Sequence, residues 1–106
     1  MKNPTITELL SKLVEIPSIS SLEANQKDVL DSANYIAELF KELGLNSKVT
    51  SSKNSNPAVL AQTEIDPSKK TVLLYAHHDV QPVGDIKKWE TDPFKPEIIE
   101  GRLFAR

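Results

Sequence analysis

A histidine and an aspartate two positions apart are the residues of this chain best suited to metal chemistry. His77 and Asp79 follow Thr71–Tyr75, an apolar run rich in β-branched residues that predicts a buried strand. Side chains of a strand repeat every second residue, so His77 and Asp79 share a face and His78 points the other way. A carboxylate beside an imidazole commonly orients that ring toward a metal, so the pair is typical of a metal ligand and its partner.

The same residues have a plainer interpretation, in which His77 hydrogen-bonds a backbone carbonyl and Asp79 caps a turn. Catalytic zinc usually takes three protein ligands, and this chain has two histidines and no cysteine. A further carboxylate would have to come from Asp85, Glu90 or Asp92, and nothing in the sequence directs any of them toward His77. The residues alone therefore leave metal binding and a solvated loop start as open alternatives.

Composition limits the class of protein. The 106 residues are 39% hydrophobic and 26% charged, which suits one modest globular domain. The net charge is -2, and the only arginines, Arg102 and Arg106, lie at the end, so we expect no nucleic-acid partner. No segment has the length of a membrane span or the apolar core of a signal peptide. We therefore expect a cytoplasmic protein without a membrane partner.

Two helices are predicted in the first half of the chain. Thr5 and Glu8 form a capping-box pattern before a helix that Pro17 ends at about Ile16. Ser20 and Glu23 repeat the pattern before a longer helix, which Gly44 ends. Ser18 and Ser20 are thus assigned to the linker and the cap rather than to nucleophilic chemistry. The longer helix has one apolar stripe, formed by Val29, Leu30, Ala33, Ile36, Ala37, Phe40 and Leu43.

Strands are predicted in the second half. Residues 46–51 indicate an edge strand, residues 57–63 a second strand, and Thr71–Ala76 a central strand buried on both faces. A long loop over residues 79–96 follows, which Trp89 is expected to pin to the domain. Residues 97–105 form a hairpin about a Glu-Gly turn. The predicted fold class is α/β, with two N-terminal helices and then a mixed sheet that ends in a hairpin.

Three stretches occur in a specific order: LYAHHDVQPV over residues 74–83, WETDPF over 89–94 and GRLFAR over 101–106. Together they resemble the N-terminal part of M20-type zinc peptidases, particularly the dipeptidase and carnosinase-like branch, and the resemblance extends over the whole chain. It implies a partial three-layer zinc-peptidase catalytic domain. We therefore expect residues 1–106 to be the N-terminal part of one such domain, C-terminally truncated and without the lid or dimerisation domain.

The resemblance also implies roles for individual residues. His77 matches the family's first zinc ligand, and Asp79 matches the catalytic-site carboxylate that orients this ligand. His78 stands where the family has tyrosine or another variable residue, so it is not assigned as a ligand. In the family, the position of Arg106 precedes a glycine and an aspartate that bridges two zinc ions, and the glutamate general base comes later. Ala76 and Ala105 replace glycines that are usual in this branch.

The resemblance implies a dizinc hydrolase that cleaves peptide or amide bonds of dipeptides or N-acyl amino acids. Because the bridging aspartate and the glutamate base are missing, we expect this chain alone to be inactive. The alternative is a non-enzymatic fragment, or the product of a truncated or split gene, that pairs with a partner chain such as the missing C-terminal portion. Nitrogen and oxygen ligands do not decide between zinc, manganese and cobalt.

Overall fold

The structure is a computed structural model that describes residues 3–106. It contains two α-helices and two two-stranded antiparallel sheets. The elements are α1 (Ile6–Val14), α2 (Gln26–Glu42), β1 (Asn46–Thr50), β2 (Ala58–Gln62), β3 (Glu97–Ile99) and β4 (Arg102–Phe104). This order confirms the predicted α/β class, with two helices first and a hairpin last. No helix within residues 3–106 combines the length and the apolarity needed to cross a membrane.

Helix α1 begins with the predicted capping box. The Thr5 hydroxyl accepts a hydrogen bond from the Glu8 backbone N–H at 3.2 Å, and the Glu8 carboxylate accepts one from the Thr5 N–H at 2.6 Å. Each side chain thus satisfies a backbone donor that the first helical turn leaves unpaired. The helix ends at Val14, slightly before the predicted end near Ile16.

The predicted cap of the second helix is wrong. Glu23 lies in a short 3₁₀ turn, Glu23–Asn25, and α2 begins only at Gln26, where Asn25 makes no side-chain capping bond to the helix. Ser20 is not available as a cap because its hydroxyl donates to Asp79, far along the chain. The local pattern was present, but a tertiary hydrogen bond takes the side chain.

Helix α2 ends where Gly44 was predicted to end it. Gly44 has a φ of +82°, the left-handed conformation that glycine adopts at low cost. The Leu45 N–H donates to the Phe40 carbonyl at 3.0 Å, and the Gly44 N–H donates to the Lys41 carbonyl at 2.9 Å. This pair of hydrogen bonds is a Schellman motif, and it directs the chain from α2 into β1.

The core lies where α2 packs against the sheet of β1 and β2. Val29, Ala33 and Ala37 from the predicted stripe are buried, together with Ile19 and the hydroxyl side chains of Ser18 and Ser32. The stripe is wider than the covered face, since Leu30 and Leu43 remain exposed.

The C-terminal hairpin forms as predicted. Ile99 of β3 pairs with Arg102 of β4, so only Glu100 and Gly101 connect the strands. Both have positive φ, +49° and +77°, as a type I′ turn requires. The predicted Glu-Gly turn is therefore confirmed.

The predicted central strand Thr71–Ala76 is wrong for the chain as described. The segment joins neither sheet, and the side chains from Val72 to Tyr75 are 78–91% exposed. A buried strand needs neighbours that satisfy its backbone groups and cover its faces. Here β1 pairs with β2 and β3 with β4, so the expected mixed sheet is represented by two separate hairpin-like sheets.

Candidate metal centre

The backbone around His77 is fixed by the turn between the two helices. The Val80 N–H donates to the Ser18 carbonyl at 2.9 Å, and the Ser18 hydroxyl donates to the His78 carbonyl at 3.0 Å. Ile19 and Val80 form an isolated parallel β-bridge. Because Ser18 and Ile19 are buried, this contact anchors residues 77–80 to the core.

The structure brings His77 and Asp79 together. The Nδ1 atom of His77 lies 3.3 Å from Oδ1 of Asp79 and 2.9 Å from the backbone carbonyl oxygen of the same residue. Both oxygens only accept, so Nδ1 carries a proton, and in the neutral form of such a ring the lone pair lies on Nε2. The imidazole itself is 77% exposed. The carbonyl contact of the plainer interpretation and the carboxylate contact of the metal interpretation thus occur in one arrangement.

Asp79 is held on its other side by Ser20. The Ser20 hydroxyl donates to Oδ2 of Asp79 at 2.5 Å, a length typical of a hydroxyl donating to a charged carboxylate. This hydrogen bond holds the pKa of Asp79 below its ordinary value, against the smaller opposing effect of burial. Asp79 is therefore an ionised acceptor at neutral pH.

His78 has a structural position. Its Nε2 atom lies 3.2 Å from the Pro57 carbonyl oxygen, to which it donates, so Nδ1 is the acceptor for the buried Ser32 hydroxyl at 3.1 Å. Both ring nitrogens are occupied, and the ring joins α2 to the residue before β2. The adjacent histidines therefore differ: among residues 3–106, the Nε2 atom of His77 has no hydrogen-bond partner, whereas both ring nitrogens of His78 have one.

Of the other carboxylates that the sequence offered, Asp85 and Asp92 serve local turns, and in the described part of the chain the structure assigns no hydrogen bond or ion pair to the Glu90 side chain. Asp85 accepts from the Lys87 N–H at 3.0 Å, and Asp92 accepts from the Phe94 N–H at 2.9 Å. Between residues 3 and 106, no group of three or more histidine, cysteine or acidic side chains could hold a metal ion.

Trp89 donates from its indole nitrogen to the Val83 carbonyl at 2.9 Å, so it stabilises the loop internally.

His77 and Asp79 border a mostly apolar groove of about 740 Å³. Its walls come from α1, α2 and the chain end, including Leu13, Phe40 and Arg106. The Arg106 side chain donates to the Gln81 carbonyl at 3.0 Å, and its backbone N–H donates to the Pro93 carbonyl at 2.7 Å. These bonds bring the last residue beside the stretch that follows Asp79.

Ser20 is the residue of this cluster that sequence reasoning missed. The signal in the sequence was the alternation of apolar and polar residue types in Pro17-Ser18-Ile19-Ser20, although Ser18 and Ile19 are both buried. That period is typical of a short extended segment, and the bridge between Ile19 and Val80 shows that one is present.

The chain is similar in sequence to known enzymes, although no family model matches it. The chain is 36% identical over 111 residues to the Cys-Gly metallodipeptidase DUG1 of Saccharomyces cerevisiae, covering 93% of the chain and 23% of that protein. It is 34% identical over 105 residues to the succinyl-diaminopimelate desuccinylase of Buchnera aphidicola, covering 96% of the chain and 24% of the relative. The chain is a homologue of the M20 metallopeptidases.

Solved structures of this family agree with the fold. The crystal structure of human carnosine dipeptidase 1 superposes with a TM-score of 0.82 at 26% identity, covering 94% of this chain and 23% of that chain. The structure of the dipeptidase Dug1p from Saccharomyces cerevisiae superposes with a TM-score of 0.74 at 37% identity, over 86% and 21% of the two chains.

The M20 homologue spans 21–24% of the length of these relatives. It therefore corresponds to one portion of a larger catalytic domain. The relatives are dipeptidases and a desuccinylase, and the name metallodipeptidase implies a metal cofactor for the enzymes that carry it.

Proposed function

We propose that this chain supplies one part of the active site of a zinc-dependent hydrolase, with His77 as a metal ligand and Asp79 as the residue that orients it. The substrates are small peptides or N-acyl amino acids, since the relatives are named for Cys-Gly, carnosine and succinyl-diaminopimelate. The observation that supports this function best is the contact of His77 Nδ1 with Asp79, which leaves Nε2 of an exposed ring free.

The donor type fits a divalent metal such as zinc, because a neutral imidazole with a carboxylate behind it is a common zinc ligand. The donor number does not complete a site, since residues 3–106 bring no three such side chains together. When bound in a hydrolase, zinc acts as a Lewis acid on the carbonyl of the scissile amide. We infer that the chain alone hydrolyses no substrate. A cytoplasmic location stays a prediction from the sequence.

Asp79 determines the proton position and the donor strength of the His77 ring in this proposal. Asp79 keeps the proton of the His77 ring on Nδ1, so that the lone pair on Nε2 faces outward. The ionised carboxylate also makes the ring a stronger electron-pair donor. Both residues line the apolar groove, although the His77 ring remains 77% exposed.

A chimera tests this function. The segment of the yeast Cys-Gly metallodipeptidase that matches this chain is replaced by residues 1–106, and Cys-Gly hydrolysis is measured with and without zinc. We expect zinc-dependent hydrolysis that His77→Ala abolishes, with Lys12→Ala as control because Lys12 makes only an exposed ion pair with Glu15. A folded chimera whose activity survives His77→Ala would contradict the proposal.

A second candidate function, non-enzymatic association with a partner chain, is favoured by the segment Thr71–Ala76. Its apolar side chains are exposed, and within residues 3–106 its backbone joins no sheet. Such a segment invites pairing with a strand from another chain. Mixing this chain with a yeast enzyme that lacks the matching segment tests it: a stable complex supports association, and separate elution on gel filtration excludes it for that partner.

A further inference from the structure

We propose that Ser20 is a positioning residue for His77 and acts through the carboxylate of Asp79. The proposal deepens the function proposed above and rests on it for the role of His77. Neither the capping pattern in the sequence nor the comparisons with relatives assign this role to Ser20.

The two oxygens of Asp79 have different partners. Oδ2 accepts from the Ser20 hydroxyl at 2.5 Å, and Oδ1 faces His77 Nδ1 at 3.3 Å. A carboxylate held at one oxygen cannot rotate without losing that bond, so the bond to Ser20 determines where the other oxygen lies. The Asp79 side chain is 40% exposed, and without Ser20 water would compete for Oδ2.

Ser20 is itself anchored from two directions. The preceding residue, Ile19, is buried and bridges to Val80, the residue after Asp79. The Ser20 carbonyl accepts from the Gln26 side-chain amide at 3.0 Å. The hydroxyl is therefore presented to Asp79 by the core and by the start of α2, and the positions of the two residues are coupled at the backbone.

The consequence for His77 is a choice of tautomer. With Oδ1 fixed, Nδ1 of His77 faces two acceptors of Asp79. One is the charged carboxylate, and the other is the backbone carbonyl oxygen at 2.9 Å. The competing explanation is that this carbonyl alone orients the ring and Ser20 only ties two segments together. The two explanations differ in what happens to the ring when the Ser20 hydroxyl is removed.

The chain has two histidines, so long-range ¹H–¹⁵N NMR resolves each ring. At about pH 8, where free imidazole is neutral, we expect the Nδ1–H tautomer at His77 in the unaltered chain. Ser20→Ala should raise the fraction of the Nε2–H tautomer at His77 several-fold and leave His78 unchanged. Ser20→Cys keeps the volume but donates weakly, so it should do the same. Ser20→Thr keeps the hydroxyl and should leave the tautomer of His77 as in the unaltered chain.

A matched control is Ser68→Ala. Ser68 donates to Oδ1 of Asp66 at 2.6 Å, the same kind of bond in an exposed turn that His77 does not contact. It should leave both histidines unchanged. Asp79→Ala should change the His77 ring as Ser20→Ala does, and Ser20→Ala should add nothing in that background.

An unchanged His77 tautomer in folded Ser20→Ala and Ser20→Cys variants would overturn the proposal, because the carbonyl would then suffice. Equal effects of Ser20→Thr and Ser20→Ala would overturn it as well. In the yeast chimera, Ser20→Ala should lower zinc affinity about 10- to 100-fold, as loss of a ligand's partner does. If His77→Ala leaves metal binding intact there, the proposed function fails, whereas the tautomer measurement still decides whether Ser20 positions the ring.

Discussion

The hydroxyl of Ser20 donates to the carboxylate of Asp79 across 59 positions of sequence, at 2.5 Å. The bond joins the turn between the helices to the residue whose carboxylate lies beside the His77 ring. Three side chains from two distant stretches thus form one line of contacts: Ser20 to Asp79, and Asp79 to His77. The surroundings of the candidate ligand therefore include residues 17–20 as well as its neighbours in sequence.

The two adjacent histidines should differ in their effect on stability. His78→Ala leaves the buried Ser32 hydroxyl and the Pro57 carbonyl without partners, so we expect a loss of about 1–3 kcal/mol in the free energy of unfolding. His77→Ala removes an exposed ring and should change it by less than about 0.5 kcal/mol. Urea unfolding of both variants measures the difference. Equal losses would contradict the separate roles of the two rings.

Gly44 should be required for its backbone conformation rather than for space. A Cβ atom at Gly44 would meet no atom within 4 Å, so Gly44→Ala is penalised only by the φ of +82°. We expect a loss of about 1 kcal/mol in the free energy of unfolding. Gly44→Asn should lose less, because asparagine tolerates this region better. Thermal and urea unfolding compare the two, and an alanine variant as stable as the asparagine variant would argue against the left-handed cap.

The capping box of α1 should weaken in acid. The Thr5 backbone N–H and then its hydroxyl donate to Glu8 and lower the pKa of that carboxyl. Because the pKa of Glu8 is lower in the folded state than in the unfolded state, the cap stabilises the helix fully at a pH above the unfolded-state pKa. This stabilisation is lost as the pH falls through the folded-state pKa. Carboxyl ¹³C NMR should show a lowered pKa that rises in Thr5→Ala, where one of the two donors is gone.

Glu8→Gln supplies the control for that titration. The amide cannot ionise, so the start of α1 should lose its pH dependence in the acidic range. If helix content near Thr5 falls with acid to the same extent in Glu8→Gln, the cap is not the source of the effect.

Amide hydrogen exchange should distinguish Thr71–Ala76 from the paired strands. This segment joins neither sheet, so its amides should exchange rapidly, whereas the paired amides of β1 and β2 should be protected. Exchange followed by NMR at each residue makes the comparison within one sample. Protection over 71–76 in the isolated chain would mean that the segment is already paired, and would remove the support for association with a partner strand.

Local chemistry made much of the fold predictable. The capping box at Thr5, the glycine that ends α2 and the Glu-Gly turn each depend on a few adjacent residues, and all three are confirmed. The polar edge strand around Val49 and the apolar strand around Val59 were also predicted, and they pair with each other. In each case the determining interaction lies within one turn or one hairpin.

Non-local interactions limited the rest. The apolar pattern of Thr71–Ala76 reports what the segment would do with neighbours, but pairing depends on strands elsewhere. Ser20 satisfied a capping pattern and is instead engaged by Asp79, which no local rule could indicate. The contact of His77 with Asp79 was expected from their spacing, although the segment that carries them belongs to neither sheet within residues 3–106.

Metal analysis tests the central claim, that His77 is a metal ligand, most directly. The yeast chimera, its His77→Ala variant and its Lys12→Ala variant are purified in parallel, dialysed against zinc and analysed by plasma mass spectrometry. We predict that the chimera and the Lys12→Ala control retain zinc, and that the His77→Ala variant loses metal at an unchanged fold. Equal zinc in all three proteins would contradict the account.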